Sequence, residues 1–385
     1  MSNFPIEKLN TLDTPLYYYD VNLLRETLAV AAREAAKYDG FHIHYAIKAN
    51  FNPRLLRIVA ECGIGADCVS GGEVLAAIKA GIPASQVVFA GVGKTDKEIA
   101  ASLDAGIFCF NVESLPEIEA IEALASQRGV VAQVAIRVNP NVAAHTHANI
   151  TTGLAENKFG VNYEQLGDVI DCIESMPHLK LIGLHFHIGS QILDMNDFVA
   201  LCSRVNELQE MLKDTRGLVL PNINVGGGLG VRYDAPDECA IPDFAHYFET
   251  YAKHLHRYDG QQVHFELGRS LVAQCGSLIT RVTYVKKGTC KQFVIVDAGM
   301  NDLLRPALYG AHHEIENLTS DANEEVYDVV GPVCESSDVF DKGIMLPETH
   351  RGDILAIRTA GAYGEAMSFG YNCRALPSAV FSDEL

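Results

Sequence analysis

Short apolar, β-branched runs recur along the chain, with helix-like stretches between them. In order they are FHIHYAIK (41–48), GADCVS (65–70), VVFAG (87–91), FCFNV (108–112), AQVAIRVN (132–139), LIGLHFHIG (181–189), NINVGGG (222–228) and VHFELGR (263–269). The intervening segments, GGEVLAAIKAG and SLPEIEAIEALASQ among them, place apolar residues at helical spacing and have helix-favouring composition. Strands alternating with helices predict parallel βαβ units. An open doubly wound sheet and a closed barrel both satisfy that rhythm, and eight is the strand number that closes a (β/α)8 barrel. Beyond about residue 280 the helical pattern fades, and SLITRVTYVKKG, KQFVIVDAG, EVYDVVGPVC and GDILAIRTAG read as strands separated by turns. The fold predicted is therefore α/β, a TIM-type (β/α)8 barrel over 27–278 plus an all-β domain. That second domain is built from 279–385 and from 1–26, whose strand-like TPLYYYD (14–20) completes it.

Composition narrows the functional classes. With 385 residues and 48% hydrophobic content the chain can bury a large core. A net charge of −19 with no lysine or arginine run argues against nucleic-acid and anionic-membrane partners, which demand a cationic surface. No apolar run approaches the roughly 20 residues of a membrane span, and MSNFPIEKLN lacks the basic start and apolar stretch of a signal peptide. Ten cysteines without a single Cys-x-x-Cys do not form a secreted disulfide framework. The expectation is a cytoplasmic protein with reduced thiols.

Polar residues fall at the strand ends, where a barrel of this kind places its chemistry. Lys48 ends the first strand, on one face with His44 and Ala46 if the strand alternates to its end. Asp67 lies on the second strand, His187 ends the sixth, Gly226, Gly227 and Gly228 follow the seventh, and Glu266 and Arg269 close the eighth. A solvated lysine at a strand end is the plain reading of Lys48, but it does not account for this convergence. Three consecutive glycines serve either a tight turn or a backbone cradle for an anion. His185 and His187 share a strand face, a spacing that can hold a metal, yet no acidic or histidine cluster completes a coordination sphere. A lysine amine, a glycine loop suited to phosphate, a flat ring and a carboxylate together suggest pyridoxal 5′-phosphate. The lysine would link to its aldehyde as a Schiff base, and Glu266 would keep the pyridine nitrogen protonated.

These motifs resemble those of the alanine-racemase-like, fold type III pyridoxal-phosphate decarboxylases. The likeness runs nearly end to end through TPLYYYD, YAIKAN, DCVSGGE, KFGV, HFHIGSQI, NVGGGLG and ELGRSLVA. It continues through VDAGMNDLLRPALYGAHHEI, GPVCESSDVF and GAYGEAMSFGYNCRALP. The resemblance implies that Lys48 carries the cofactor, that His187 stacks on its ring, and that Glu266 meets the ring nitrogen. It assigns the phosphate to Ser190, Gly227, Gly228, Gly268 and Tyr363, and places Asp67 in the cofactor site. One departure is visible: the family's Glu-Pro-Gly-Arg reads ELGR here, with Leu267 replacing proline, and only a small effect is expected.

The resemblance also implies a substrate. Arg269, Arg305, Tyr309 and Tyr363 would clamp a far carboxylate, for which the guanidinium fork is suited. Cys334 and Glu335 would reach the neighbouring subunit's site in a homodimer, with Glu335 on a far ammonium and Cys334 or Lys48 as proton donor. A far end with both groups describes meso-diaminopimelate, decarboxylated to L-lysine and carbon dioxide as the last step of lysine biosynthesis. The alternatives are a relative acting on ornithine, arginine or carboxynorspermidine, and a non-catalytic regulator that binds the same cofactor. No metal is expected.

Overall fold

The computed structural model describes residues 4–140 and 158–385. The chain divides into two compact units: Leu28–Gly230 with Asp243–Gly268, and Met1–Thr27 with Val231–Pro242 and Arg269–Leu385. These bounds differ from the expected 27–278 in two places. Residues 231–242 and the segment from Arg269 onward cluster with the β unit, because the chain enters that unit's sheet at Gly276, which pairs with Tyr19. Residues 141–157, inside the expected barrel span, lie outside the described residues, as do the first three of the chain.

The first unit is a barrel. After β1 (Leu16–Tyr19) of the other unit, its strands are β2 (Phe41–Ala46), β3 (Gly65–Cys68), β4 (Val87–Phe89), β5 (Cys109–Val112), β6 (Ala132–Asn139), β8 (Leu179–His185), β9 (Asn222–Asn224) and β10 (Gln262–Leu267). A two-residue β7 (Val161–Asn162) adds to β6. The order β5-β4-β3-β2-β10-β9-β8-β6 closes through a β5–β6 pairing, and every pair is parallel. Eight strands make the closed sheet, so the barrel is the architecture adopted.

Alternation along β10 shows how the sequence sorts its faces. Phe265 points outward onto the helix Phe244–His254, with ring centroids 5.0 Å from Phe248 and 5.1 Å from Tyr251. Its neighbours His264 and Glu266 occupy the other face, as strand geometry requires. Barrel interiors are commonly filled by layers of branched aliphatic side chains. Here buried His44, His185, Asn111, Asn224, His264 and Glu266 lie on the strands. A polar interior is costly unless its members satisfy one another, and that requirement builds the site described below.

The second unit is an eight-stranded sheet. Its further strands are β11 (Gly276–Lys287), β12 (Gln292–Val296), β13 (Ile315–Asn317), β14 (Glu324–Val330), β15 (Val339–Pro347), β16 (Ile354–Ile357) and β17 (Ser378–Phe381). The N-terminal strand joins it as expected: β1 runs antiparallel to β11, with Leu16 opposite Ile279, and parallel to β17, with Leu16 opposite Ser378. Apolar Leu9, Leu16, Tyr18, Ile279, Ile354 and Ala356 form one of its buried clusters.

Candidate active site

Lys48 does not end a strand. Strand β2 stops at Ala46, and Lys48 sits half-buried in a single helical turn, Ile47–Ala49. The turn breaks the alternation, so the face of Lys48 is set by the turn and not by His44 and Ala46. Gly268, just past β10, packs against this turn: a side chain built on it would meet the Ala46 and Ala49 methyl groups at 3.1 and 3.2 Å. Glycine there lets the two strand ends approach.

Glu266 is buried and held by three side chains from three other strands. Asn224 Nδ2 donates to its Oε1 at 2.8 Å and Asn111 Nδ2 to the same oxygen at 3.2 Å, while His185 Nε2 meets Oε2 at 3.2 Å. Burial alone would push this carboxyl up. The attraction and hydrogen bond of His185, with the charge of Lys48, outweigh it and hold Glu266 well below the usual carboxylate range. Glu266 is an ionised group inside the barrel.

Asp67, on β3, behaves oppositely. Its burial and the nearby charge of Glu266 push it well above the carboxylate range, and its Oδ1 finds no hydrogen-bond partner among the described residues. Two buried carboxyls with opposed protonation mark a site that handles protons.

His187 lies two residues beyond β8. Burial, and then the charges of Lys48 and Arg137, push its imidazole well below the ordinary value, so the ring is neutral. Its Nδ1 accepts from the Gly227 N–H at 3.3 Å, which puts the ring proton on Nε2. Ser190 follows, half-buried, in the same loop. The glycine run resolves the two readings of its sequence in a packing sense: a Cβ on Gly227 would fall 1.9 Å from the Glu266 carbonyl oxygen, and one on Gly228, at φ +109°, 2.8 Å from the Gly189 carbonyl oxygen. Only bare backbone fits between the ends of β8 and β10. Leu267 is buried in β10 opposite Tyr45, so the strand continues where the family pattern has proline.

The loops beyond β4, β5 and β6 are tied by a buried carboxylate. Glu113 accepts from Arg137 Nη1 at 3.1 Å, from the Gly91 N–H at 2.9 Å and from the Gly160 N–H at 3.0 Å. A cavity of about 420 Å³ lies at the opposite, N-terminal strand ends, lined by His42, His44, Asn222 and His264 among others. None of the expected site residues lines it.

In the β unit the expected residues form two groups. Arg269 and Arg305 are buried, and Tyr363 lies under Arg269 with 4.9 Å from guanidinium carbon to ring centroid. Tyr363 holds φ +57°, a left-handed conformation uncommon for an aromatic residue and typical of functional positions. Arg305 and Tyr309 occupy one short helix, Arg305–Tyr309. Cys334 and Glu335 stand apart on an exposed turn, with Glu335 accepting from Ser337 Oγ at 2.7 Å. The residues not anticipated are Asn111 and Asn224 around Glu266, and Tyr233 and His313 beside the arginines; His185, singled out for its spacing from His187, serves as a hydrogen-bonded partner of Glu266. Asn224 stands two residues before the glycine run on the same strand, a spacing that could have flagged it.

A parallel barrel presenting a lysine turn, an ionised carboxylate, a neutral imidazole and a close-packed glycine loop at its strand ends is the arrangement of a pyridoxal-phosphate enzyme. Buried Asp67 Oδ1 and the side-chain-free backbone at Gly227 and Gly228 fit that group. Residues 25–273 match the family described as pyridoxal-dependent decarboxylase, pyridoxal binding domain, and the chain belongs to it. A diaminopimelate decarboxylase of Bacteroides thetaiotaomicron is 60% identical over 382 residues, 99% of each chain. The crystal structure of diaminopimelate decarboxylase from Helicobacter pylori complexed with L-lysine superposes with a TM-score of 0.92 at 41% identity, covering 99% of this chain and 94% of that one. The lysine/ornithine decarboxylase of Vibrio vulnificus, complexed with putrescine, gives a TM-score of 0.83 at 22% identity over 99% and 97% of the chains, a likeness of fold alone.

Proposed function

We propose that this chain decarboxylates meso-diaminopimelate to L-lysine and carbon dioxide with pyridoxal 5′-phosphate as cofactor. Relatives with that activity in their names match along nearly the whole chain. The observation that carries the choice of substrate is Arg305: a residue only 5% exposed, with no carboxylate paired to it among the described residues. Its partners are neutral, His313 and the Tyr233 ring. A buried, unpaired cation is expensive unless an anion arrives to meet it, and a substrate with a carboxylate at its far end supplies one.

The roles follow from the groups. Bound here, pyridoxal phosphate would supply an electron sink for the pair left as the Cα–carboxylate bond breaks. Lys48 would hold it through its amine. Glu266, ionised by its donors, would keep a proton on the ring nitrogen. His187 would offer a neutral flat face, and Ser190, Gly227, Gly228, Gly268 and Tyr363 would hold the phosphate, with Asp67 in the same site. Arg269, Arg305, Tyr309 and Tyr363 take the far carboxylate. Cys334 or Lys48 returns a proton to the carbon.

Cys334 and Glu335 are exposed on the isolated chain. This supports a homodimer in which they serve the neighbouring subunit's site, Glu335 binding the far ammonium. The β domain thus contributes to substrate recognition and to the dimer interface. All ten cysteines are free thiols, which supports a cytoplasmic setting; among the described residues no helix is long and apolar enough to cross a membrane. A substrate panel tests the reading. Carbon dioxide should be released from meso-diaminopimelate and not from ornithine, arginine or carboxynorspermidine, and turnover of one of those instead would overturn it.

A further inference from the structure

Arg269 and Arg305 are like charges buried in one unit. Burial first, and the like charge of Arg269, hold the Arg305 guanidinium below its ordinary pKa. A carboxylate beside Arg305 would calm its charge. Among the described residues Arg305 meets neutral groups instead. Arg305 Nη1 meets His313 Nε2 at 2.7 Å, and the guanidinium carbon lies 4.6 Å from the Tyr233 ring centroid.

The proton on His313 is fixed by its surroundings. His313 Nδ1 lies 2.8 Å from the Arg358 carbonyl oxygen, which can only accept, so Nδ1 carries the hydrogen. A guanidinium can only donate, so Nε2 presents its lone pair to Arg305. Both contacts hold together only for a neutral ring. Burial and the Arg305 charge push the imidazole down to about 3, in agreement with that tautomer. The carbonyl's own residue is anchored, since the Arg358 guanidinium grips Glu316 and Asp237. Tyr233 plays the matching part for Arg269: its hydroxyl accepts from Arg269 Nη1 at 2.6 Å, and its ring meets His313 edge-on at 5.0 Å.

We propose that His313 and Tyr233 are positioning residues that fix Arg305 and Arg269 through neutral contacts, leaving the Arg305 charge undischarged for the far carboxylate of the substrate. The inference rests on the clamp reading of the two arginines given above. A protein carboxylate in the place of His313 would orient Arg305 equally well, but it would compete with the substrate for the charge. A neutral acceptor orients the fork without spending it.

The test compares two ligands of the holoenzyme. L-Lysine keeps the far carboxylate of meso-diaminopimelate, and cadaverine lacks it. Inhibition constants for both, with KM and kcat for meso-diaminopimelate, are measured for the wild type and for His313→Leu, His313→Gln, His313→Glu, Tyr233→Phe and Arg305→Gln. His313→Leu should raise KM and the lysine constant about tenfold, the worth of one charge-assisted hydrogen bond. It should leave kcat and the cadaverine constant within about twofold. His313→Gln, whose amide oxygen can accept, should recover most of the loss. His313→Glu should weaken lysine although Arg305 keeps a partner, and Tyr233→Phe should weaken it through Arg269.

Equal weakening of lysine and cadaverine by His313→Leu would mean a merely structural role and overturn the proposal. So would lysine binding by His313→Glu as tight as the wild type's. If His313→Leu does not fold, the Gln and Glu variants decide. Should Arg305→Gln discriminate against lysine while the His313 variants do not, the clamp stands and this inference fails. If Arg305→Gln leaves the lysine-to-cadaverine ratio unchanged, the clamp reading itself is wrong.

Discussion

Glu266 owes its charge to neighbours from three strands, and that ownership can be tested. Replacing it with glutamine keeps the shape and removes the negative charge proposed to keep a proton on the ring nitrogen. Glu266→Gln should still bind pyridoxal phosphate, seen by its absorbance, while turnover falls on the order of a hundredfold. His313 gives a second residue-scale prediction. Its folded-state pKa of about 3 lies below the ordinary 6.5, so the unfolded chain takes up a proton first as the pH falls. The stability of the wild type must therefore decline relative to His313→Gln as the pH drops below about 6.5, by about 3 kcal/mol at pH ~4.5. Denaturant titrations of both proteins at several pH values measure the difference; a constant difference would mean His313 is not held neutral. Lys48 and Glu266 drew attention in the sequence because polar residues at the ends of separate apolar runs would converge on one end of a barrel. His313 was not legible. It stands beside His312, and nothing local separates a surface imidazole paired with Asp341 from a buried one serving Arg305.

The strands set which side chains meet. Apolar runs bounded by turn residues made the eight barrel strands readable, since the side of a parallel sheet that helices cover is apolar. What the runs could not reveal was the last residue of each. Helical turn Ile47–Ala49 and the extended loop holding His187 begin where the ladder of β2 and β8 ends, a matter of long-range pairing and not of local composition. Nor could they reveal the short β13 and β17 or the nine-residue β15, whose half-exposed faces dilute the pattern. The glycine run is decided at this scale as well. Gly227→Ala would drive a methyl group into the Glu266 carbonyl oxygen, which is backbone and cannot swing aside. It should cost about 3 kcal/mol in denaturant unfolding and weaken cofactor retention, whereas Gly63→Ala, with open space around it, should leave the cofactor bound.

At the scale of the whole molecule the chain interleaves its units: residues 231–242 and the N-terminal 27 belong with the β unit although barrel sequence flanks or follows them. Composition carries no trace of such an excursion, which is why the sequence suggested one uninterrupted barrel span. The proposed homodimer makes a prediction of its own. Inactive Lys48→Ala and inactive Glu335→Ala subunits, mixed and allowed to exchange, should recover roughly a quarter of wild-type activity, because half of the dimers then carry one site with both residues intact. No recovery despite demonstrated exchange would place the two residues' work within one chain.

In the function proposed, buried Arg305 and its neighbours select a substrate with a far carboxylate for decarboxylation at the other end. The most direct measurement is release of carbon dioxide and L-lysine from meso-diaminopimelate by the purified protein with pyridoxal phosphate, with ornithine, arginine and carboxynorspermidine alongside. Stoichiometric lysine and carbon dioxide should form from meso-diaminopimelate alone. Decarboxylation of a substrate without that carboxylate, with meso-diaminopimelate untouched, would contradict it.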